Sequence, residues 1–284
     1  MNEQIAVTAA SIDEAQIFKD AGADEVILPL AGFSMTSLKA MTLEEIQSAE
    51  GASVMMNRLL FPEEMEQADQ CVKQISTMHL NHLYFADPAM IKLNEKYDLV
   101  SKLIYKPETL MTSPEDASWW LDQHIFGVAI SPLLTLEEAE PIAAMQKHTI
   151  FTIHGRLMMS ASRRKLLSAY LEASNIQVSD KEHMDIQEIS RSEHLPIHES
   201  NYGTLIETDY VLQSFEIVSK LASRGAENFL IESSGMTAEE TADTIHAYRN
   251  IFNGAGAETV KDEYIGRHPS MILSEGYYME KTIR

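Results

Sequence analysis

The sequence is poor in cysteine, since Cys71 is the only one among its 284 residues. A single thiol forms no disulfide within the chain, and it cannot supply the several thiolates of an iron–sulfur cluster or a cysteine-ligated zinc site. Cys71 lies in the helix-like pattern EEMEQADQCVKQI. A buried, unreactive thiol is the ordinary interpretation there. The composition therefore argues against chemistry based on this chain's own thiols.

Basic residues are also scarce, because 22 lysines and arginines face 43 aspartates and glutamates, a formal charge of -21. Such a surface argues against direct, sequence-independent binding of nucleic acid and against an anionic membrane surface. No apolar run approaches the roughly 18 residues that span a bilayer. The first residues show no signal-peptide pattern. We therefore expect a cytoplasmic protein without direct nucleic-acid or membrane partners, and the oligomeric state stays open.

Common catalytic and nucleotide-binding motifs are absent. The turn after the first predicted strand is Ala9-Ala10-Ser11, which lacks the glycines of a dinucleotide-binding sheet. The chain has no phosphate-binding Walker loop, no H-E-x-x-H pair, no G-x-S-x-G elbow and no C-x-x-C pair. These absences leave the class of reaction open and disfavour a doubly wound nucleotide-binding fold.

The pattern that is present is an alternation of short apolar strands with amphipathic helices. Predicted strands cover residues 5–9, 25–30, 53–59, 82–86, 100–105, 127–131, 149–153 and 228–232. Predicted helices begin near Ser11, Thr42, Pro62, Ser113, Thr135, Tyr210 and Thr237. Eight strands, each with a helical follower, predict an α/β fold of the closed (β/α)8 TIM-like barrel type.

The alternation breaks after strand seven. Residues 175–208 have no βα rhythm, and their stretches MDIQEIS and TLIETD alternate like edge strands. We predict a barrel over residues 1–254 with a small β-rich excursion at about 175–208, and a polar C-terminal tail, 255–284, packed on the barrel. A long excursion beside a site often covers it, so a lid over the barrel mouth is one open interpretation.

A basic segment follows strand seven. The strand ends at His154-Gly155, and a helix-prone stretch with Arg156, Arg163, Arg164 and Lys165 comes next. In so acidic a chain, this clustering indicates a site that faces an anion. The alternative is a tight turn followed by arginines on a solvated helix face, and the sequence does not decide between the two.

Polar residues just after the strand ends are the candidates for a site, because barrel enzymes build their active face there. These positions hold Asn57, Arg58, Asp87, Lys106, Glu108, Ser131, His154, Arg156 and Glu232. His154 could shuttle a proton, Glu232 could act as a base, and Arg164 could bind a carboxylate or phosphate. Asp87 before Pro88 is equally typical of a turn.

A metal is a weaker possibility. His194, His198 and Glu199 form a loose ligand set in EHLPIHE, where Pro196 interrupts any helical spacing. We therefore predict no metal site and no cofactor. The catalytic candidates are His154, Glu232 and Asp87, and the substrate-binding candidates are Asn57, Arg156, Arg164 and Glu108.

The segment IHGRLMMSASRRKLLSAY resembles the signature of the collagenase-like peptidases, peptidase family U32. The matching positions are His154, Gly155, Leu157, Met159, Ser162, Arg164, Leu166, Leu167, Ser168 and Tyr170. AGADEVIL, Asn57, Ala86-Asp87-Pro88, LLTLEE and LIESSG resemble further family segments between residues 5 and 254. The resemblance implies a barrel fold. The family's members are classed as peptidases of unassigned catalytic type, and several support hydroxylation of tRNA uridine, ribosomal RNA or ubiquinone precursors through a four-cysteine iron–sulfur cluster.

The departures from the family pattern give three hypotheses. The two signature cysteines fall at Met158 and Lys165, neither of which supplies a thiolate. The first hypothesis is a divergent or non-catalytic subunit, a pseudoenzyme, that works with a cysteine-bearing paralogue in tRNA uridine hydroxylation. The second is a peptidase, for which the sequence shows no nucleophile. The third is a barrel that binds a small anionic ligand against Arg156 and Arg164.

Overall fold

The computed structural model describes residues 3–145, 148–178, 184–187, 189 and 192–279. Its strands are β1 (Gln4–Thr8), β2 (Glu25–Pro29), β3 (Ser53–Met56), β4 (Leu83–Phe85), β5 (Leu103–Tyr105), β6 (Gly127–Ile130), β7 (Thr149–Gly155), β8 (Met158–Ser162), β9 (Met184–Ile186), β10 (Leu195–Ser200), β11 (Gly203–Glu207), β12 (Val211–Gln213), β13 (Asn228–Ile231) and β14 (Leu273–Ser274). Its helices are α1 (Ile12–Asp20), α2 (Leu43–Gln47), α3 (Met65–Ile75), α4 (Ala89–Glu95), α5 (Pro114–Leu121), α6 (Leu136–Met145), α7 (Leu166–Ala173), α8 (Phe215–Arg224), α9 (Ala238–Phe252) and α10 (Ala257–Arg267).

Eight parallel strands close into a barrel. Strands β1 to β7 pair in sequence order, and β13 pairs with both β1 and β7. In these two ladders Gln4 lies opposite Asn228, and Thr152 lies opposite Leu230. The closure confirms the predicted (β/α)8 barrel.

The barrel interior is filled by side chains, one from each of its strands. The cluster consists of Ala6, Ile27, Met55, Tyr84, Ile104, Ala129, Ile150 and Leu230. A second, larger apolar layer lies between the strands and the helices. Because both faces of each strand are buried, the strands read as nearly continuous apolar runs. The barrel is therefore a packed core, and only its ends are available for a site.

Helix starts follow local capping chemistry. The hydroxyl of Ser11 accepts a hydrogen bond from the amide of Glu14, as the sequence predicts for α1. Thr42 with Glu45, and Thr237 with Glu240, form complete capping boxes at α2 and α9. These side chains satisfy amides that have no partner within the helix, so each helix begins at a defined residue.

The predicted β-rich excursion is a four-stranded antiparallel sheet with the strand order β8-β11-β10-β9. Its first strand corrects one prediction. Residues 156–165 are helix-prone in sequence, yet Met158–Ser162 pair with Thr204–Glu207 as a strand, and α7 begins only at Leu166. Pairing with β11 overrides local helix propensity here.

Two further segments differ from the sequence-based prediction. The helix expected from Tyr210 begins at Phe215, because Val211–Gln213 form a strand that pairs antiparallel with β7. The polar tail contains a helix, α10, whose Val260 and Tyr264 are buried. The sequence pattern does not predict this helix, because only a few of its residues are apolar and face the protein.

In the part of the chain that the structure describes, no helix is long and apolar enough to cross a membrane.

Gly155 gives a test of this fold. Its φ is +112°, and a Cβ atom there would clash with the carbonyl oxygen of Glu232. We expect Gly155→Ala to lower the free energy of unfolding by about 3 kcal/mol or more, because backbone strain and the clash add. The measurement is chemical denaturation.

Gly266 within α10 is the matched control, since nothing lies within 4 Å of an added Cβ atom. Gly266→Ala is expected to be neutral or to stabilise by up to about 1 kcal/mol. Equal stability of the two variants would show that β7 and β13 do not approach as described.

Candidate functional site

The carboxyl ends of the barrel strands bring five of the predicted site residues together. Asn57 follows β3, Lys106 and Glu108 follow β5, Arg156 follows β7, and Glu232 follows β13. All five line one pocket at the barrel mouth. Their convergence follows from parallel strands whose ends meet at the same edge.

Lys106 is the centre of this group. Its Nζ atom lies 2.6 Å and 2.7 Å from the two carboxylate oxygens of Glu108 and 3.0 Å from Oε1 of Glu232. Burial acts to lower the pKa of Lys106, but the two carboxylates outweigh it and hold the pKa well above its ordinary value. Lys106 is therefore a fixed cation that neutralises two carboxylates, and it is no nucleophile near neutral pH.

The backbone and Asn57 hold Glu108 in place. Glu108 has φ +60°, in the left-handed region, and its carboxylate folds back onto Lys106 two residues earlier. The Asn57 side-chain amide donates to Oε1 of Glu108 at 2.9 Å, and its Oδ1 accepts from the amide of Met35 at 2.9 Å. Such a backbone persists only where its surroundings fix it, so the group is preorganised.

A second carboxylate group lies across the same pocket. The hydroxyl of Ser234 lies 2.8 Å and 2.9 Å from the two oxygens of Glu207, and the hydroxyl of Ser37 donates to Oε1 at 2.9 Å. The ring nitrogen Nε2 of His198 lies 3.2 Å from Oε2. Arg156 lines the pocket as well, and its Nε atom is buried without a hydrogen-bond partner.

An apolar cavity of about 440 Å³ adjoins the polar pocket. Its lining includes Leu59, Tyr105, Leu110, Met158 and Met159. The two spaces share Met35, Asn57, Glu108, Thr109 and Met158. We name the polar pocket the floor, the apolar cavity the vestibule, and both together the cleft. The vestibule has the volume of a small-molecule site, and strand β8 of the small sheet forms one wall.

Arginine side chains tie the small sheet to the barrel at the rim of the vestibule. The guanidinium of Arg163 lies 3.3 Å from the centre of the Phe61 ring, and its Nη2 lies 2.8 Å from Glu64. The other carboxylate oxygen of Glu64 lies 2.8 Å from Nη1 of Arg58. Nε and Nη1 of Arg163 are buried without hydrogen-bond partners. These N–H groups can bind an acceptor-rich ligand.

Arg164, one of the two predicted ligand-binding arginines, is exposed and does not line the cleft of the described structure. Arg163 occupies that place. The reason is that the chain leaves β8 in a turn at these residues, so the helical spacing assumed from the sequence does not apply.

His154 does not lie at the mouth, so its predicted position is wrong. Strand β7 has one extra residue, Ile153, because Leu230 and Ile231 of β13 lie opposite Thr152 and His154. This β-bulge turns His154 into the layer between strands and helices. The ring is fully buried, with Nδ1 3.2 Å from the hydroxyl of Tyr248. A role in proton transfer stays a prediction that this placement does not favour.

Asp87 holds backbone amides. Its Oδ2 accepts from Leu60 at 2.7 Å and its Oδ1 accepts from Ala89 at 2.9 Å, beside the start of α4. Ser131 is buried, and its hydroxyl accepts from Leu133. Neither residue lines the cleft. The geometry favours the turn interpretation of Asp87 over its predicted catalytic role.

The loose metal set is also dispersed. Glu199 accepts hydrogen bonds from Ser168 and Thr204, while His198 faces Glu207. Burial acts to raise the pKa of Glu199, but the hydrogen bonds outweigh it and the pKa is lowered. Within residues 3–145, 148–178, 184–187, 189 and 192–279, no group of three histidine, cysteine, aspartate or glutamate residues could hold a metal.

Several cleft residues escape sequence reasoning. Ser234 stands two residues beyond the end of the eighth predicted strand. This closeness to a strand end is only a weak sequence signal for a site residue. Glu207 lies in the alternating stretch TLIETD. This pattern predicts a strand, but it does not predict which strand it pairs with. Met35 and Arg163 reach the cleft through loops, and no motif identifies them.

Comparisons with known proteins give one family match and distant structural likenesses. The model of Peptidase family U32 matches residues 10–282. The spore cortex-lytic enzyme SleL of Bacillus cereus aligns at 10% identity with a TM-score of 0.41, over 86% of this chain and 73% of that one. A C-terminal domain of a putative chitinase from Desulfitobacterium hafniense DCB-2 aligns at 10% identity with a TM-score of 0.44, over 86% and 97%. No curated protein matches.

The buried His154 predicts a pH dependence of stability. Burial lowers its pKa to about 3 from an ordinary 6.5, and the charge of nearby His268 acts in the same direction. Below about pH 6.5 the unfolded chain binds a proton on this ring that the folded chain does not. Stability is therefore lost as pH falls from about 6.5 towards 3.

We expect the wild type to lose about 2 kcal/mol more than His154→Gln between about pH 7 and about pH 5 in denaturation experiments. His246→Gln, which changes an exposed histidine of α9, is the control and should keep the wild-type slope. Parallel curves for the wild type and His154→Gln would contradict the buried, neutral imidazole.

Proposed function

The chain belongs to peptidase family U32, and we propose that it is a divergent member that binds a ligand in the cleft without iron–sulfur chemistry of its own. One observation carries the proposal. The cleft has a preorganised polar floor, while a methionine stands on its wall at a position where the family signature has cysteine. That residue, Met158, lines both the floor and the vestibule.

The second signature-cysteine position and the one cysteine of the sequence support the same conclusion. Lys165 replaces the second signature cysteine, and its Nζ donates to the side chain of Asn201 at 2.9 Å. Cys71 lies in α3, where burial raises the pKa of its thiol to about 11. A protonated thiol in the outer layer of the barrel is no ligand for a cluster at the mouth.

The chemistry of the cleft indicates the class of ligand. Arg156 on the floor and Arg163 at the rim each present buried N–H groups without a partner. Buried donors that lack acceptors cost free energy, so they favour a ligand that supplies acceptors such as carboxylate or phosphate oxygens. The apolar vestibule between these two arginines would accommodate an uncharged part of the ligand.

A member without thiolates needs a redox partner if it takes part in the family's hydroxylation reactions. We propose a cysteine-bearing paralogue as that partner, with tRNA uridine hydroxylation as the process. The formal charge of -21 suits a protein partner better than direct contact with RNA. In this arrangement the present chain contributes binding, and the paralogue contributes the cluster and the contact with RNA.

The metal-assisted peptidase loses support. It would require His154, Asp87 and Glu232 around one ion, but His154 is in the outer layer and the Asp87 oxygens hold amides. Glu232 is paired with Lys106. These three residues therefore have no common site.

Iron and sulfide analysis, with a visible absorption spectrum, tests the redox part of the proposal. We expect protein purified alone without oxygen to contain far less than one iron per chain, since no thiolate faces the cleft. Cys71→Ala is expected to give the same result. Stoichiometric iron and sulfide in the isolated chain would overturn the proposal.

Affinity purification from the native host, which should recover a cysteine-bearing paralogue, tests the proposed partner.

Thermal-shift measurements with acetate, succinate and inorganic phosphate test the binding part. We expect at least one of these anions to raise the melting temperature of the wild type by mass action. Arg163→Ala should remove this shift, while Arg164→Ala, which changes the exposed neighbour, should keep it. The comparison uses the shift of each variant against its own melting temperature. A shift that depends on Arg164 and not on Arg163 would contradict the assignment.

A further inference from the structure

We infer that Ser234 is the nucleophile of a hydrolytic acyl-transfer site on the floor of the cleft, with Glu207 as its general base and an ester or amide as its substrate. This inference goes beyond the proposed function and does not depend on it. It also supplies the nucleophile that the sequence does not reveal, through residues that no sequence motif connects.

The first observation is the direct contact between hydroxyl and carboxylate. The Ser234 hydroxyl lies 2.8 Å and 2.9 Å from the two Glu207 oxygens, which is the distance over which a general base removes a proton. The Ser37 hydroxyl donates to the same carboxylate and lies 2.5 Å from the Ser234 oxygen. Ser234 and Glu207 are 6% and 5% exposed, so little water competes for this contact.

The second observation is an available donor beside the serine. The side chain of Arg156 lies so close to Gly235, the next residue, that a Cβ atom there would come within 2.6 Å of Nε. That Nε atom is buried and has no hydrogen-bond partner. An oxyanion site requires N–H donors close to the developing negative charge, and such donors contribute strongly in a buried pocket.

The third observation is an imidazole beside the same carboxylate. His198 lies 3.2 Å from Oε2 of Glu207, and its side chain is 31% exposed. His198 lines a groove of about 440 Å³ that also contains Arg156, Asp209 and His194. Glu207 therefore lies between the buried serine and a partly exposed imidazole.

The reaction is balanced without any further reagent except water. The Ser234 oxygen attacks the carbonyl carbon as its proton passes to Glu207, and the electron pair of the C=O bond moves to the oxygen that faces Arg156. Collapse of this intermediate breaks the bond to the alcohol or amine, which leaves with the proton from Glu207. Water, deprotonated by Glu207, then hydrolyses the acyl-serine and restores the hydroxyl.

Access comes from the vestibule. The floor alone has a volume of about 40 Å³, enough for a reacting carbonyl group but not for a whole substrate. Because floor and vestibule share Met35, Asn57 and Glu108, the acyl body can lie in the vestibule while its carbonyl reaches Ser234. The substrate class is therefore an ester or amide with an apolar acyl group.

The test uses the full chain, a fluorophosphonate probe that labels activated serines, and p-nitrophenyl butyrate as substrate. We expect a covalent adduct on Ser234 in the unchanged protein, located by peptide mass spectrometry. We expect Ser234→Ala and Glu207→Gln each to lower the rate of ester hydrolysis by about 100-fold or more. Glu207→Gln keeps the shape of the side chain and removes the base.

Ser131→Ala is the matched control, because Ser131 is a buried serine at the same mouth that does not line the cleft. It should keep the wild-type rate and the adduct on Ser234. The adduct is located in the unchanged protein, so this measurement decides the question even if Ser234→Ala is unstable. No adduct on Ser234, an adduct on another serine alone, or hydrolysis that is the same in folded Ser234→Ala would overturn the inference. Iron analysis of the same protein is unaffected by either result.

Discussion

The pairing of β7 with β13 is the constraint on which the rest of the structure depends. It closes the barrel, because β13 also pairs with β1. It contains the bulge at Ile153, where the ladder shifts between Leu230 and Ile231. Beyond the bulge, the amide of Glu232 still donates to the carbonyl of His154 at 2.9 Å. The chain then leaves the barrel at Gly155, the one residue type that permits this close approach to Glu232.

The same pairing arranges the cleft. It fixes the backbone of Glu232, and the carboxylate of that residue meets Lys106 at 3.0 Å. Ser234 then follows at the position where it meets Glu207 from β11, and Arg156 lies along Gly235. A buried lysine is tolerable here only because two carboxylates compensate its charge, and removing one partner of such a group is expensive. The ion pairs are therefore better understood as positioning devices than as a source of stability.

The sequence predicts the barrel and the convergence of Asn57, Lys106, Glu108 and Glu232, because both follow from strand periodicity and from the meeting of strand ends. It does not predict the position of His154, since a single extra residue in β7 reverses the direction of a side chain and leaves no local signal. The sequence predicts Arg164 at the cleft, whereas Arg163 lies there. The reason is that the segment before them pairs as a strand although its composition favours a helix. Glu207 comes from a strand whose partner is distant in sequence, and such pairings are beyond local patterns.

The cleft combines features that redox chemistry does not require. A cluster at this mouth would need thiolates, yet Met158 presents a thioether on the cleft wall. What the floor offers instead is a hydroxyl in contact with a carboxylate, an unpaired guanidinium N–H and a cation that holds two further carboxylates. These groups bind and polarise acceptor-rich ligands and move protons, and none of them transfers electrons. A barrel with this floor is therefore compatible with both proposals: ligand binding in partnership with a redox-active chain, and acid–base chemistry that the floor can perform alone.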